Sequence, residues 1–133
     1  MNDIADEDFK SFINQNKIMM KNLSNALIRH IIIYLLKNEE LYGYLLMKKI
    51  DDFFKPQIEK GIMKKIPSSK IYPILNKMEK EGLIRPYESE HNNMKIKVYS
   101  STEKGLKVYD LVNLEIKESI ERTIWQDFLK DIK

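Results

Sequence analysis

The sequence contains no cysteine. That excludes disulfide frameworks, thiolate nucleophiles and thiol-ligated metals. Only two histidines occur, His30 and His91, far apart in sequence. A histidine-only metal site would need further ligands or a second chain, so no metal or other cofactor is expected. There is no phosphate-binding glycine loop and no nucleophile–base–acid cluster, which argues against an enzyme. Long apolar runs are missing too. Ile31 to Leu36 is far short of the roughly 20 residues that span a bilayer. Asp3, Asp6, Glu7 and Asp8 carry the wrong charge for a secretory leader. A cytoplasmic protein with no membrane partner is the expectation.

What is present is a chain of 133 residues, 43% of them hydrophobic, enough for one domain with a modest core. The net charge is only +3. Its distribution says more. Residues 21–105 hold 16 Lys or Arg against 10 Asp or Glu, a net of +6. Residues 1–20 come to −2 and residues 106–133 to −1. That split suits a middle that meets phosphates and ends that meet protein.

Residues 1–8 are polar and acidic and read as a frayed end. Phe9, Phe12, Ile13, Met19, Met20 and Leu23 then give an amphipathic pattern, with a helix over about 6–20. Asn22, Ser24 or Asn25 can start a second helix that runs to Lys37. Its wide apolar face places His30 on or beside the buried side. A further helix is expected from about Gly43 to Phe54, ended by Pro56, with Gly43 permitting close backbone approach. The basic connector 55–67 holds either a short helical turn or an ordered loop.

Ser68 or Ser69 can cap the next helix, and Gly82 stops it. Ile71, Ile74, Leu75 and Met78 fall on its inward face, whereas Lys70, Asn76, Lys77 and Lys80 fall outward. A strand follows from Leu83 to about Glu88, and Glu90 to Asn93 supply turn residues. The period of two from Met94 to Ser100 is the return strand of a hairpin. Either Ile96 and Val98 or Tyr99 point inward; pattern alone leaves both registers open.

Thr102 can cap a last helix, which no proline or internal glycine interrupts over 106–133. At about 1.5 Å per residue it would be roughly 40 Å long and would project beyond a small core. Tyr109, Val112, Ile116, Ile120, Ile124 and Phe128 line it. With Phe9, Phe12 and Ile13 they are the expected dimerisation residues. Trp125, the only tryptophan, would pack at the far end.

The architecture is mainly α, a winged helix-turn-helix with a β-hairpin wing, an N-terminal helix and a long C-terminal dimerisation helix. Its units are an N-terminal helical extension at 1–24, the winged helix-turn-helix DNA-binding domain at 25–101 and the dimerisation helix at 102–133. Lys70, Asn76 and Lys77 would face a major groove. Ser68 and Ser69, with the free N–H groups of the helix start, suit a phosphate. Tyr72 offers a ring to a thymine methyl or a hydroxyl to a phosphate. His91, Asn92, Asn93, Lys95 and Lys97 would bring the wing to the backbone or a minor groove. A homodimer would bind a pseudopalindromic double-stranded site. A winged helix used as an architectural or replication-associated DNA binder, or for protein contact, is the alternative.

Three groups of residues resemble the PadR family of transcriptional regulators. The first is Ile31 to Leu36 with Leu41-Tyr42-Gly43-Tyr44-Leu45-Leu46. The second is Ile71-Tyr72-Pro73-Ile74-Leu75 with Met78-Glu79-Lys80-Glu81-Gly82-Leu83-Ile84. The third is Lys97-Val98-Tyr99 with Thr102-Glu103-Lys104-Gly105. The resemblance implies a dimeric repressor whose C-terminal helix lies in the interface. It also implies a small aromatic or amphipathic effector near that interface. Ser69 or Lys70 stands where the family favours glycine, and Ser101 where it favours an apolar residue. The wing carries lysine and asparagine where arginine is common.

Overall fold

A computed structural model describes residues 6–132. Its helices are α1 (Asp6–Leu36), α2 (Gly43–Phe53), α3 (Lys55–Glu59), α4 (Ser68–Lys80), α5 (Glu103–Glu121) and α6 (Thr123–Lys130). Its strands are β1 (Leu41–Tyr42), β2 (Ile84–His91) and β3 (Met94–Ser101). Part of the frayed end expected over 1–8, residues 1–5, lies outside the described residues. Residues 6–8 already belong to α1.

α1 is one helix of 31 residues, where the sequence suggested two with a break at 20–25. Ser24 explains the continuity. Its hydroxyl donates to the Lys21 carbonyl at 2.9 Å, inside the helix, instead of capping a new start. From Ile28 onward α1 enters the core, and Ile28, Ile31, Ile32, Ile33 and Leu36 are buried. Burial of this kind stabilises by roughly 1.5–3 kcal/mol per large apolar side chain. It outweighs the weak helix preference of isoleucine.

Leu46 and Ile50 of α2 and Ile71, Leu75 and Met78 of α4 complete the same core. In the connector, Lys55–Glu59 forms the short helix α3, with Pro56 in its first turn. The Asp51 carboxylate accepts a hydrogen bond from the Ile66 N–H at 3.4 Å and ties the connector to α2. The expected serine cap on α4 is not made. Pro67 occupies the cap position, and its carbonyl accepts from the N–H groups of Lys70 and Ile71. A proline there is already extended, so neither serine needs to act.

α4 stops at Gly82, which sits at φ +77°. The Leu83 N–H bonds the Met78 carbonyl at 2.9 Å and the Gly82 N–H bonds the Glu79 carbonyl at 3.0 Å. That pair of bonds is a Schellman motif, and only a glycine-like φ closes it cheaply. The antiparallel sheet has the order β1-β3-β2, with Leu41 opposite Tyr99 and Tyr87 opposite Val98. The hairpin is longer than expected on the β2 side. Only Asn92 and Asn93 form the turn, at φ 53° and 63°, the two positive values a type I′ turn needs. Tyr99 is the inward residue, at 1% exposure, whereas Ile96 and Val98 are half-buried.

Thr102 caps α5 as expected: its Oγ1 accepts from the Gly105 N–H at 3.0 Å. The same hydroxyl donates to the Gly82 carbonyl at 2.6 Å. The Ser101 hydroxyl donates to the Leu36 carbonyl at 2.9 Å. It serves an otherwise orphaned carbonyl at the end of α1, which accounts for a polar residue at that position. The single C-terminal helix expected from the sequence is instead two. Arg122 adopts an extended ψ of 142°, ends α5 and begins α6. The Gln126 side chain bonds the Glu121 carbonyl at 3.3 Å across the break. No helix among the described residues is long and apolar enough to cross a membrane.

Candidate nucleic-acid interface

The inward side of α4, with Ile71, Leu75 and Met78, is buried in the core it shares with α1 and α2. Its outward side carries Ser69, Tyr72, Pro73, Asn76, Lys77 and Lys80, all exposed. Their spacing of three and four keeps them in one stripe. Pro73 lies on that stripe, within the helix. The hydrogen bond it cannot make faces solvent.

Tyr72 is held by glycine. A Cβ placed on Gly43 would come 2.5 Å from the Tyr72 hydroxyl oxygen. The close approach expected at Gly43 is therefore made to a side chain of the outward stripe. Beside it Tyr42 and Tyr44 stack at 6.4 Å, and the Lys48 ammonium lies 5.5 Å from the centre of the Tyr44 ring. Tyr42, Tyr44, Tyr72, Asn76 and Lys97 line a cleft of about 360 Å³ between the start of α2, α4 and the wing. Burial, followed by the neighbouring Tyr72 and Glu79, raises the pKa of the Tyr99 phenol under this cleft. That tyrosine stays neutral and acts as packing.

The wing is tied to α4. Lys97 bonds Glu79 at 3.5 Å and lies 5.7 Å from the centre of the Tyr99 ring. Glu79 neutralises part of the Lys97 charge, which weakens it as a phosphate ligand. Lys95 is exposed, as are His91, Asn92 and Asn93 at the hairpin tip. His91 stacks on Tyr42 at 6.0 Å, which turns the tip toward the tyrosine cleft. Ser68 and Ser69 lie at the other end, at the exposed start of α4. Lys70 is half-buried. Desolvation, and then the charge of Lys21, lower its pKa.

Sequence reasoning passed over Tyr42, Tyr44 and Lys48 as site residues. The Tyr-Gly-Tyr segment held the signal, because a stacked aromatic pair, half-buried at Tyr42 and exposed at Tyr44, beside a lysine has a nucleic-acid character. It also passed over the link from α1 to the end of α4, where Arg29 and Glu81 pair at 2.5 Å. His30 has a structural place. It stacks on Tyr109 at 4.6 Å, and its Nε2 lies 2.7 Å from the Asn113 Oδ1. Among the described residues no group of His, Cys, Asp or Glu is arranged to hold a metal.

Of the residues expected at a dimer surface, Phe12, Val112, Ile116, Ile120, Ile124 and Phe128 are exposed. Ile13 is half-buried. Tyr109 is buried within the protomer, on His30. The Phe9 side chain lies outside the described residues. Trp125 packs edge-on against Phe128 at 5.9 Å.

A helix braced from below, an outward basic stripe and a two-stranded wing define a winged helix-turn-helix protein. The family model described as "Transcriptional regulator PadR-like family" matches residues 32–111. The chain belongs to this PadR-like family of transcriptional regulators. Similar solved structures include a PadR family transcriptional regulator from Eggerthella lenta, 21% identical, with a TM-score of 0.67 over 92% of this chain and 96% of that one. A Streptococcus mutans protein is 30% identical, with a TM-score of 0.56 over 70% of this chain and 78% of that one. A PadR-like transcriptional regulator from Bacillus cereus is 24% identical, with a TM-score of 0.56 over 76% of this chain and 98% of that one. No curated protein matches the sequence.

Proposed function

We propose that the protein is a dimeric repressor that reads a pseudopalindromic site in double-stranded DNA. The observation that carries this reading is the outward stripe of α4, polar and basic on a helix whose other side is buried. Asn76 and Lys77 contact base edges in the major groove. Ser68, Ser69 and the Lys70 side chain hold a phosphate at the start of the helix, where the Ser68 and Ser69 N–H groups have no helical partner. Lys95 and the Asn92-Asn93 turn meet the backbone beside the groove. Lys97 braces the wing more than it binds. Tyr72 is positioned by Gly43 to meet a thymine methyl or a phosphate.

The dimer reading is supported by the uncovered apolar residues of α5 and α6. An aromatic or amphipathic effector fits the hollow of about 370 Å³ formed by Ile124, Trp125 and Phe128. Because Trp125 is the sole tryptophan, its fluorescence reports directly on such a ligand. The deciding experiment is selection of bound sequences from random duplex DNA. A two-fold related consensus is expected, with half-sites about one helical turn apart. Recovery of sequences with no preference would leave an architectural DNA binder in its place.

A further inference from the structure

The first half of α1 lies ahead of the family-matched stretch, which begins at residue 32. At 3.6 residues per turn its two sides differ sharply. Phe12, Met19 and Leu23 share one side, all exposed. Lys10, Lys17 and Lys21 share the opposite side, in line with Ser24 and Ile28, which are buried. The lysine side is therefore the continuation of the core-facing side. Where the core ends, this side carries ammonium groups over the start of α4.

Those groups meet others there. Lys17 and Lys21 of α1, Lys64 and Lys65 of the connector, and Lys70 of α4 border one cleft of about 360 Å³. Met63 and Ile66 form its apolar floor, which suits the methylene stems of lysines. Among the described residues Lys65 has a carboxylate partner, Asp51 at 3.9 Å. Lys17, Lys21, Lys64 and Lys70 make no ion pair among them. Lys21 is close enough to Lys70 to lower its affinity for a proton. Like charges gathered from three segments repel one another unless an anion joins them.

We propose that this cleft is a second phosphate-binding edge of the DNA interface. In it Lys17 and Lys21 on α1, with Lys64 and Lys65 on the connector, hold the backbone that flanks the groove entered by α4. The inference rests on the DNA-binding reading above. A nucleic-acid backbone is favoured over a small anion because Lys70 belongs to both surfaces. It borders the cleft, and it stands in the first turn of α4 beside Ser68 and Ser69. An anion at the cleft is continuous with one at the helix start. Lys17 and Lys21 are separated by a rise of about 6 Å along α1, against ~3.4 Å per nucleotide on one DNA strand. That rise corresponds to about two nucleotide steps, so the two lysines reach different phosphates of one strand. The N-terminal extension then widens the electrostatic footprint without adding sequence readout.

The test uses the full chain and a duplex carrying the selected site, with affinity measured from low to high salt. The variants are Lys17→Gln with Lys21→Gln and, separately, Lys64→Gln with Lys65→Gln. Glutamine keeps part of the stem over the apolar floor and removes the charge. Each lost phosphate contact lowers the slope of log K against log salt by about 0.9, so each double variant should lose about 2 per bound protomer. The ranking of operator sequences should stay the same. Asn76→Ala with Lys77→Ala should instead change that ranking. Wild-type binding with unchanged slopes in both lysine variants would overturn this inference alone. Absence of wild-type binding to any duplex would overturn the DNA-binding reading with it. Loss of the dimer in Lys17→Gln with Lys21→Gln, at unchanged slope, would place these lysines against a second copy and also overturn it.

Discussion

A methyl group on Gly43 would sit 2.5 Å from the Tyr72 hydroxyl. Gly43→Ala, at the first residue of α2, gains less than the ~1 kcal/mol of an interior helix position and loses about 1–3 kcal/mol to overpacking. Net stability should fall by about 1 kcal/mol, and the displaced Tyr72 should weaken DNA binding about tenfold. Tyr72→Phe in the same background removes the nearest atom and leaves contacts at 3.2 Å. It should recover part of the stability loss. A double-mutant cycle by chemical denaturation reads this coupling directly; additive effects would show that the two residues do not meet. Asp51 gives a second test. Desolvation raises its pKa from the usual 3.8, against the opposing pull of Ile66 and Lys65. A carboxyl whose folded pKa is raised is fully tolerated below the unfolded value. It costs stability as pH rises through the folded value. Asp51→Asn keeps an acceptor for the Ile66 N–H and removes the charge. It should raise the melting temperature at pH 7 and leave it unchanged near pH 3. A lower melting temperature at pH 7 would mean that Lys65 outweighs desolvation.

Thr102 joins two elements with one hydroxyl. It accepts from the Gly105 N–H and donates to the Gly82 carbonyl. Lys104 adds a bond to the Glu81 carbonyl at 2.7 Å, and Gly105 packs so tightly that a Cβ would strike the Leu83 carbonyl. The Thr-Glu-Lys-Gly segment is thus a latch between the end of α4 and the start of α5. Thr102→Val should cost about 1–2 kcal/mol, the value of a lost helix cap with an unpaired carbonyl. Thr102→Ser should cost much less, and equal losses in the two variants would remove the hydroxyl from the account. The latch shows why some elements are legible in sequence and others are not. Thr102, Gly82 and the alternation of β3 act locally, so residue type and spacing reveal them. The start of α4 was legible as a place but not as a mechanism, because Pro67 holds the cap position and no side chain caps the helix. Continuity of α1 past residue 24 depends on Ser24 bonding back along the helix while Ile28 and Ile32 are buried. Candidate caps at Asn22 and Asn25 look the same whether or not that burial exists. The break at Arg122 carries no proline or glycine and so has no local signal. The outward stripe of α4 was visible from its period. The tyrosine cleft was not, because it gathers residues from β1, α2, α4 and β3.

At the scale of the whole molecule, two apolar faces start from one point. His30, Leu23, Met19 and Phe12 share a side of α1, and Tyr109, Val112, Ile116 and Ile120 share a side of α5, by helical spacing. The faces touch where His30 stacks on Tyr109 and meets Asn113. Beyond that contact they stay uncovered, with Phe12, Met19 and Leu23 at 46–56% exposure and Val112, Ile116 and Ile120 at 39–44%. A second copy that lays its α5 face against this α1 face would cover both through a single two-fold axis. Ile116→Asp with Ile120→Asp should therefore give a folded monomer, because neither side chain is buried in the protomer. Met19→Asp with Leu23→Asp should do the same from the other helix. Light scattering reads the mass, and circular dichroism confirms that helix content is retained. Loss of the link between half-sites should weaken binding to a palindromic duplex by about 10²–10⁴. Binding to an isolated half-site should be unchanged, because α4 and the wing are intact. If the α5 variant stays dimeric, the interface lies elsewhere. If only the α1 variant stays dimeric, α5 pairs with its own copy and the first half of α1 is left to the DNA.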